Sequence, residues 1–231
     1  RAVRMPGGNF VSGWDWKDSI GPMEKRKAHL DLAWHQYIPN DVGHDEYLQW
    51  AERLGTEPMY TINLGTGDVN DAIHCVEYTN HSGGTYWSDL RKKNGRADPW
   101  GVKVWCLGNE MDGPWQLGHV PAEQYALRAE QAGKLMKAID PSIELVACGS
   151  CGILMPTYLE WDRVVLEYLG DLADYVTSPF SPEEVDLARS AVSRAADAVQ
   201  VALWNGVEAA IARALFRREN PYADGDGEVL T

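Results

Sequence analysis

At 231 residues the chain is long enough to bury a sizeable core in one domain. Its formal net charge of −13 argues against nucleic acid and anionic membrane as partners, and no run of about 18 apolar residues marks a membrane span. The four cysteines include one C-x-x-C, Cys148-Gly-Ser-Cys151, with no second pair or histidines at ligand spacing, so no metal site is expected and a reduced, cytoplasmic setting is the simplest reading.

The chain opens on Arg1 rather than Met and enters an apolar strand almost at once, which reads as a piece of a longer chain or one trimmed at its start. That strand runs from Ala2 to Phe10 and closes on Pro6-Gly7-Gly8-Asn9. Residues 11–43, rich in Gly, Asp and Trp, read as a long loop with little regular structure, and loops of that length are usually functional. Helical spacing over Asp45–Leu54, capped by Gly55, precedes a strand over Pro58–Leu64. A helix over Asp68–Asn80 and a loop over His81–Pro99 follow.

Next comes Val102-Lys103-Val104-Trp105-Cys106-Leu107, a β-prone and mostly apolar run. It leads straight into Gly108-Asn109-Glu110 and reads as a buried parallel strand with a carboxylate at its C-terminal edge. In a (β/α) barrel that edge carries the active site, so Glu110 is a candidate general acid/base for a glycosidic bond. The alternative is an Asn-Glu pair capping a helix after an ordinary core strand. A helix is predicted over Pro121–Ile139, with Leu127, Leu135, Met136 and Ile139 facing one way. A strand over Ile143–Cys148, a helix over Tyr158–Leu169 and a strand over Leu172–Thr177 complete the pattern. Strands alternating with helices of this length indicate βαβ units and a parallel sheet.

After Val176 the character changes. Ser181-Pro182-Glu183-Glu184 is a helix start with an N-cap, a first-turn proline and acids at the positive dipole end. Ala-rich helical spacing follows, is interrupted at Gly206 and resumes to about Arg218, and a polar tail expected to be disordered begins at Glu219. The expected organisation is a partial (β/α) barrel catalytic domain over 1–180 and an Ala-rich helical tail over 181–231. The fold class is α/β: an incomplete (β/α)8 TIM-type barrel lacking its first and last strands, with an α-helical C-terminal tail.

Several motifs in order carry a family resemblance. Pro6-Gly7-Gly8-Asn9-Phe10, Trp14-Asp15-Trp16 with Gly21-Pro22, Leu32-Ala33-Trp34, Asn63-Leu64-Gly65-Thr66-Gly67 and Gly108-Asn109-Glu110-Met111-Asp112-Gly113, with Trp115 and Gly118-His119, strongly resemble α-L-arabinofuranosidases of glycoside hydrolase family 51. The resemblance runs from about residue 1 to about 176. It implies a (β/α)8 barrel that releases terminal α-L-arabinofuranosyl groups with retention, on arabinofuranosyl oligosaccharides or polysaccharides. It also implies no metal or organic cofactor, and a possible homo-oligomer. By position, Glu110 is similar to the family's acid/base, Asn109 to the residue that hydrogen-bonds the sugar 2-hydroxyl, Asn9 with Gly8 to a sugar-binding position, and Trp34 to the aromatic wall of the subsite. The bland alternatives are core packing for Trp34 and a tight turn for the double glycine.

The resemblance also has a gap. A retaining glycosidase needs two carboxyl groups about 5 Å apart. The Asp-Glu-Trp-type motif that carries the family's nucleophile does not occur after Val176, so the nucleophile is unknown and turnover from this chain alone is expected to be very weak or nil. A non-catalytic arabinofuranoside-binding or assembly protein on a partial barrel scaffold is the alternative reading.

Overall fold

The computed structural model describes residues 2–178 and, within the C-terminal segment, 200–203 and 212–215. Five strands form the parallel part of one sheet: β1 (Ala2–Met5), β4 (Glu57–Ile62), β5 (Val104–Leu107), β6 (Glu144–Cys148) and β7 (Tyr175–Ser178), paired in that order. Between them run α1 (Gly8–Val11), α2 (His44–Leu54), α3 (Val69–Asn80), α4 (Tyr86–Lys93), α5 (Ala122–Ile139) and α6 (Glu160–Leu169). This is the α/β order that alternating strand and helix patterns predict.

One sheet face packs on the helices. Tyr60, Ile62, Trp105, Leu107, Leu145 and Ala147 join helix residues such as Tyr47, Val76, Tyr125 and Trp161 in the main core. The alternate strand positions Met59, Val104, Cys106, Val146 and Tyr175 form a second, smaller apolar cluster on the opposite face, as the period of two requires. Tyr125 of α5 locks two strand ends: its hydroxyl donates to Leu107 O (2.9 Å) and accepts from Cys148 N (2.7 Å). Its ring stacks on Trp161 at 5.3 Å.

The structure corrects several sequence expectations. The first strand ends at Met5 rather than Phe10, because Gly8, at φ +63°, opens the turn of α1. The predicted loop over 11–43 contains two 3-10 turns and a hairpin, β2 (His29–Asp31) with β3 (Gln36–Ile38). The predicted loop over 81–99 holds α4, where Thr85 N donates to Ser88 Oγ (3.2 Å) and Arg91, Lys92 and Lys93 crowd the last turn at the negative dipole end. On α5 the buried stripe is Tyr125, Ala126, Ala129, Ala132, Gly133 and Met136, while Leu127 and Leu135 are exposed. A Cβ on Gly133 would sit 2.9 Å from Leu145 Cδ1, so small residues there let α5 approach the sheet.

The tail differs too. Gln200–Leu203 (β8) and Ala212–Leu215 (β9) are strands, not helix, and β9 pairs antiparallel with β7. A ladder along β7 satisfies the backbone groups of both strands, and this outweighs the helical spacing of an Ala-rich sequence. The predicted helix start at Ser181 and the polar tail from Glu219 lie outside the described residues.

Candidate active site

The site lies at the C-terminal edge of the parallel strands. β5 is buried at all four residues and ends at Leu107. Gly108 takes φ +89° and Glu110 takes φ +45°, a left-handed conformation that an L residue with a long side chain seldom adopts. The backbone therefore reverses within three residues, and a turn closed by Gly113 N on Glu110 O (2.9 Å) follows. Glu110 is exposed, whereas Asn109 beside it is 1% exposed. The next helix begins at Ala122, so Asn109 and Glu110 cap no helix.

Arg4 reaches this corner from β1 and donates from Nη2 to Asn109 Oδ1 (2.7 Å). The other end of that amide, Nδ2, is buried and has no partner among the described residues. Gln116 donates from Nε2 to Glu110 Oε2. Asn9 bonds the same loop at two points, donating to Trp115 O (3.0 Å) and accepting from Leu117 N (2.8 Å). Gly8 lies one residue before it, at the start of α1. A Cβ on Gly65 would meet Gly118 Cα at 2.9 Å and Ser12 Cβ at 2.8 Å, so glycines allow the loops after β1, β4 and β5 to touch.

Trp34 occupies a different element, the turn between β2 and β3. There Asp31 Oδ1 accepts from Ala33 N (2.8 Å), and the Trp34 side chain is not core packing, since the residue is 63% exposed. The sequence reading brought Asn109 and Glu110 together by adjacency and the structure adds Arg4, Gln116 and Asp112. No motif spacing marks Arg4, because its contact spans 105 residues.

Asp112 is fully enclosed and acts as an anchor. Its carboxylate accepts from Ser150 Oγ (2.7 Å), Cys151 N (3.0 Å) and Thr157 Oγ1 (3.3 Å), which ties the loop after β6 to the loop after β5. Burial, with the Asp112 and Glu110 charges nearby, pushes the Cys151 thiol up to about 12, so it is neutral at ordinary pH. All four cysteines are free thiols. Among the described residues no group of three His, Cys, Asp or Glu side chains could hold a metal ion, and no helix is long and apolar enough to cross a membrane.

The chain thus presents an exposed carboxylate beside a buried amide, half-satisfied among the described residues, at the C-terminal edge of a parallel sheet, the edge where barrel enzymes build their active sites. The profile of the alpha-L-arabinofuranosidase 1 domain matches residues 1–166. The intracellular exo-α-(1→5)-L-arabinofuranosidase 1 of Bacillus subtilis is 51% identical over 175 residues, which are 76% of this chain and 35% of that protein. The exo-α-(1→6)-L-arabinofuranosidase of Bifidobacterium longum is 47% identical over 176 residues, 76% of this chain and 34% of that protein. Among solved structures, the Thermotoga maritima α-L-arabinofuranosidase in its arabinose complex superimposes with a TM-score of 0.77 at 36% identity, covering 85% of this chain and 42% of that one. The family 51 α-L-arabinofuranosidase from Bifidobacterium longum does so with a TM-score of 0.74 at 45% identity, covering 76% and 35%. This chain belongs to the α-L-arabinofuranosidases of glycoside hydrolase family 51. It spans about a third of the length of the curated relatives it matches.

Proposed function

We propose that this chain carries the acid/base side of a retaining α-L-arabinofuranosidase site, acting on terminal α-L-arabinofuranosyl groups of arabinose-containing oligosaccharides or polysaccharides. The observation that carries the proposal is the Asn109–Glu110 pair. Arg4 fixes one end of the Asn109 amide, and the other end is a buried donor without an acceptor among the described residues. A buried polar group of that kind is satisfied by a ligand hydroxyl at far lower cost than by nothing. Beside it Glu110 is exposed and free to meet a glycosidic oxygen.

In this reading Glu110 protonates the leaving oxygen and then, as a carboxylate, draws a proton from the attacking water. Asn109 donates to a sugar hydroxyl, and Asn9, Gly8 and Trp34 complete the sugar-facing set. Asp112 is not the nucleophile, since its carboxylate is sealed under three donors. Arabinose as the sugar is supported by the arabinose complex of the similar Thermotoga maritima chain. A cytoplasmic setting is supported by relatives described as intracellular. The barrel reading is supported by the apolar cluster on the sheet face away from the helices, because parallel sheets are covered on both faces.

The test is hydrolysis of an aryl α-L-arabinofuranoside by this chain beside Glu110→Ala. Weak turnover that disappears in the variant supports the acid/base assignment. Turnover that survives Glu110→Ala overturns it. If neither protein turns over, calorimetric titration with arabinose decides: binding weakened in Asn109→Ala keeps the sugar site, and no binding removes it.

A further inference from the structure

Away from the strand edge that carries Glu110, a polar cavity of about 240 Å³ opens between α2 and the loop that joins α4 to β5. Asp45, Glu52 and Arg53 line it from α2, at the i, i+7 and i+8 spacing that places them on one helix face. Asn94, Arg96 and Trp100 line it from the loop. That loop is pinned from beneath. Arg91 of α4 is fully enclosed and donates to the carbonyls of Tyr78 (2.7 Å), His81 (2.7 Å) and Arg96 (3.3 Å). Arg96 in turn forks onto the Glu52 carboxylate, both bonds at 3.1 Å, and its guanidinium lies over the Trp100 ring at 4.0 Å.

Two residues of the wall carry buried side-chain atoms with no hydrogen-bond partner among the described residues: Asp45 Oδ1, an acceptor, and Trp100 Nε1, a donor. Asp45 is 8% exposed, and its other oxygen accepts from the Tyr78 hydroxyl (2.7 Å), which itself accepts from Asn94 Nδ2 (3.1 Å). Burial pushes the Asp45 carboxyl up, and the Tyr78 hydroxyl and the Trp100 indole draw it back down. The indole therefore sits near this carboxylate without meeting hydrogen-bond geometry. A buried donor and a buried acceptor side by side, each unmade, favour one group that answers both.

The chemistry narrows the occupant. A hydroxyl donates and accepts at once. An ammonium would serve Asp45, leave Trp100 unmade and face Arg53 and Arg96. A carboxylate would serve Trp100 and oppose Asp45 and Glu52. Among the described residues the wall carries two carboxylates and two guanidiniums, a balance that suits a neutral ligand. The cavity also exceeds by far the roughly 10–15 Å³ that admits a single water. We propose that it is a second binding site for a small neutral polyol, one hydroxyl of which donates to Asp45 Oδ1 and accepts from Trp100 Nε1. Trp100 leads into β5 whereas Glu110 follows its far end, so this site does not depend on the reading of Glu110.

The test is a 15N–1H NMR titration of the full chain with glycerol. It is read on the Trp100 indole signal, identified by its loss in Trp100→Phe. The expected result is a saturable movement of that signal, with acetate and methylammonium at the same concentrations giving none. Asp45→Asn keeps an acceptor for Tyr78 and turns a donor toward the indole, so glycerol affinity falls about fivefold or more. In Trp100→Phe, read on the amide of Gly95 at the cavity rim, it falls likewise, which covers the case of an Asp45→Asn chain that does not fold. A movement without saturation, or an affinity unchanged in Trp100→Phe or in a folded Asp45→Asn, overturns the proposal. So does a water that keeps its Overhauser contact with the Trp100 indole proton at high glycerol, since solvent alone then fills the gap. Glu110→Ala leaves the glycerol titration as it was, and its loss there would overturn the separation of the two sites. Failure of the Glu110 site, judged by arabinofuranoside hydrolysis and arabinose binding, leaves this cavity standing.

Discussion

Arg4 Nη2 donates to Asn109 Oδ1 across 2.7 Å, joining the first strand to the residue ahead of Glu110. The bond orients a buried amide so that its remaining donor is available. In Arg4→Met that amide loses a charge-assisted partner, at a cost of about 1–3 kcal/mol. The expected outcome is an at least tenfold weaker affinity for arabinose by calorimetry, with the fold retained. Equal affinity in parent and variant would show that Asn109 is oriented without Arg4.

Asp112 is expected to hold two loops together. Asp112→Ala removes the acceptor of Cys151 N and the shorter of two acceptors of Ser150 Oγ, and should lower stability by about 3 kcal/mol. Asp112→Asn keeps one acceptor for Cys151 N and should lose less. Urea unfolding gives the ranking, and hydrogen exchange at Ser150 and Cys151 shows whether the loop after β6 opens locally. Similar stability in all three proteins would refute the anchor.

Glycine at position 65 is required by contact. Gly65→Ala places a Cβ under 3 Å from backbone atoms of Ser12 and Gly118, and overpacking of this kind costs about 1–3 kcal/mol. Gly152→Ala meets only Met155 Cγ at 3.6 Å and should change the urea midpoint little. An unchanged midpoint in Gly65→Ala would mean that the loops after β1 and β5 can part freely.

His44 predicts an acid-sensitive core. It is wholly enclosed, with Nδ1 against Tyr60 OH (2.8 Å) and Nε2 against Thr79 Oγ1 (3.1 Å), and burial lowers its pKa from 6.5 to about 3. Below pH 6.5 the unfolded chain takes up a proton that the folded chain refuses until about pH 3. Stability therefore falls as pH drops through that window, by about 2–3 kcal/mol between pH 7 and 4.5 from this group. In His44→Gln the loss over the same range should be smaller. An identical pH dependence would assign the acid sensitivity to other groups.

Sequence periodicity alone determined the order of the five parallel strands and the helices α2, α3, α5 and α6, because burial of strands on both faces and of one helix stripe leaves a pattern that survives without partners. It also placed Glu110 at a strand end, since a strand running into Gly-Asn-Glu needs no tertiary information to be seen. The helix α4 was legible in principle from Thr85, Ser88 and the basic last turn, but its short length hid the period. On α5 Met136 and Ile139 face the core as read, but Leu127 and Leu135 were misplaced, because between Tyr125 and Met136 the buried stripe is alanine and glycine, which allow close approach and give a weak hydrophobic signal. Only the tertiary structure decided that Arg4 meets Asn109, that Gln116 meets Glu110, that Asn9 bonds Trp115 and Leu117, and that β9 adds antiparallel to β7. Such contacts join residues far apart in the chain or turn on a backbone angle, as at Glu110, and a linear pattern records neither.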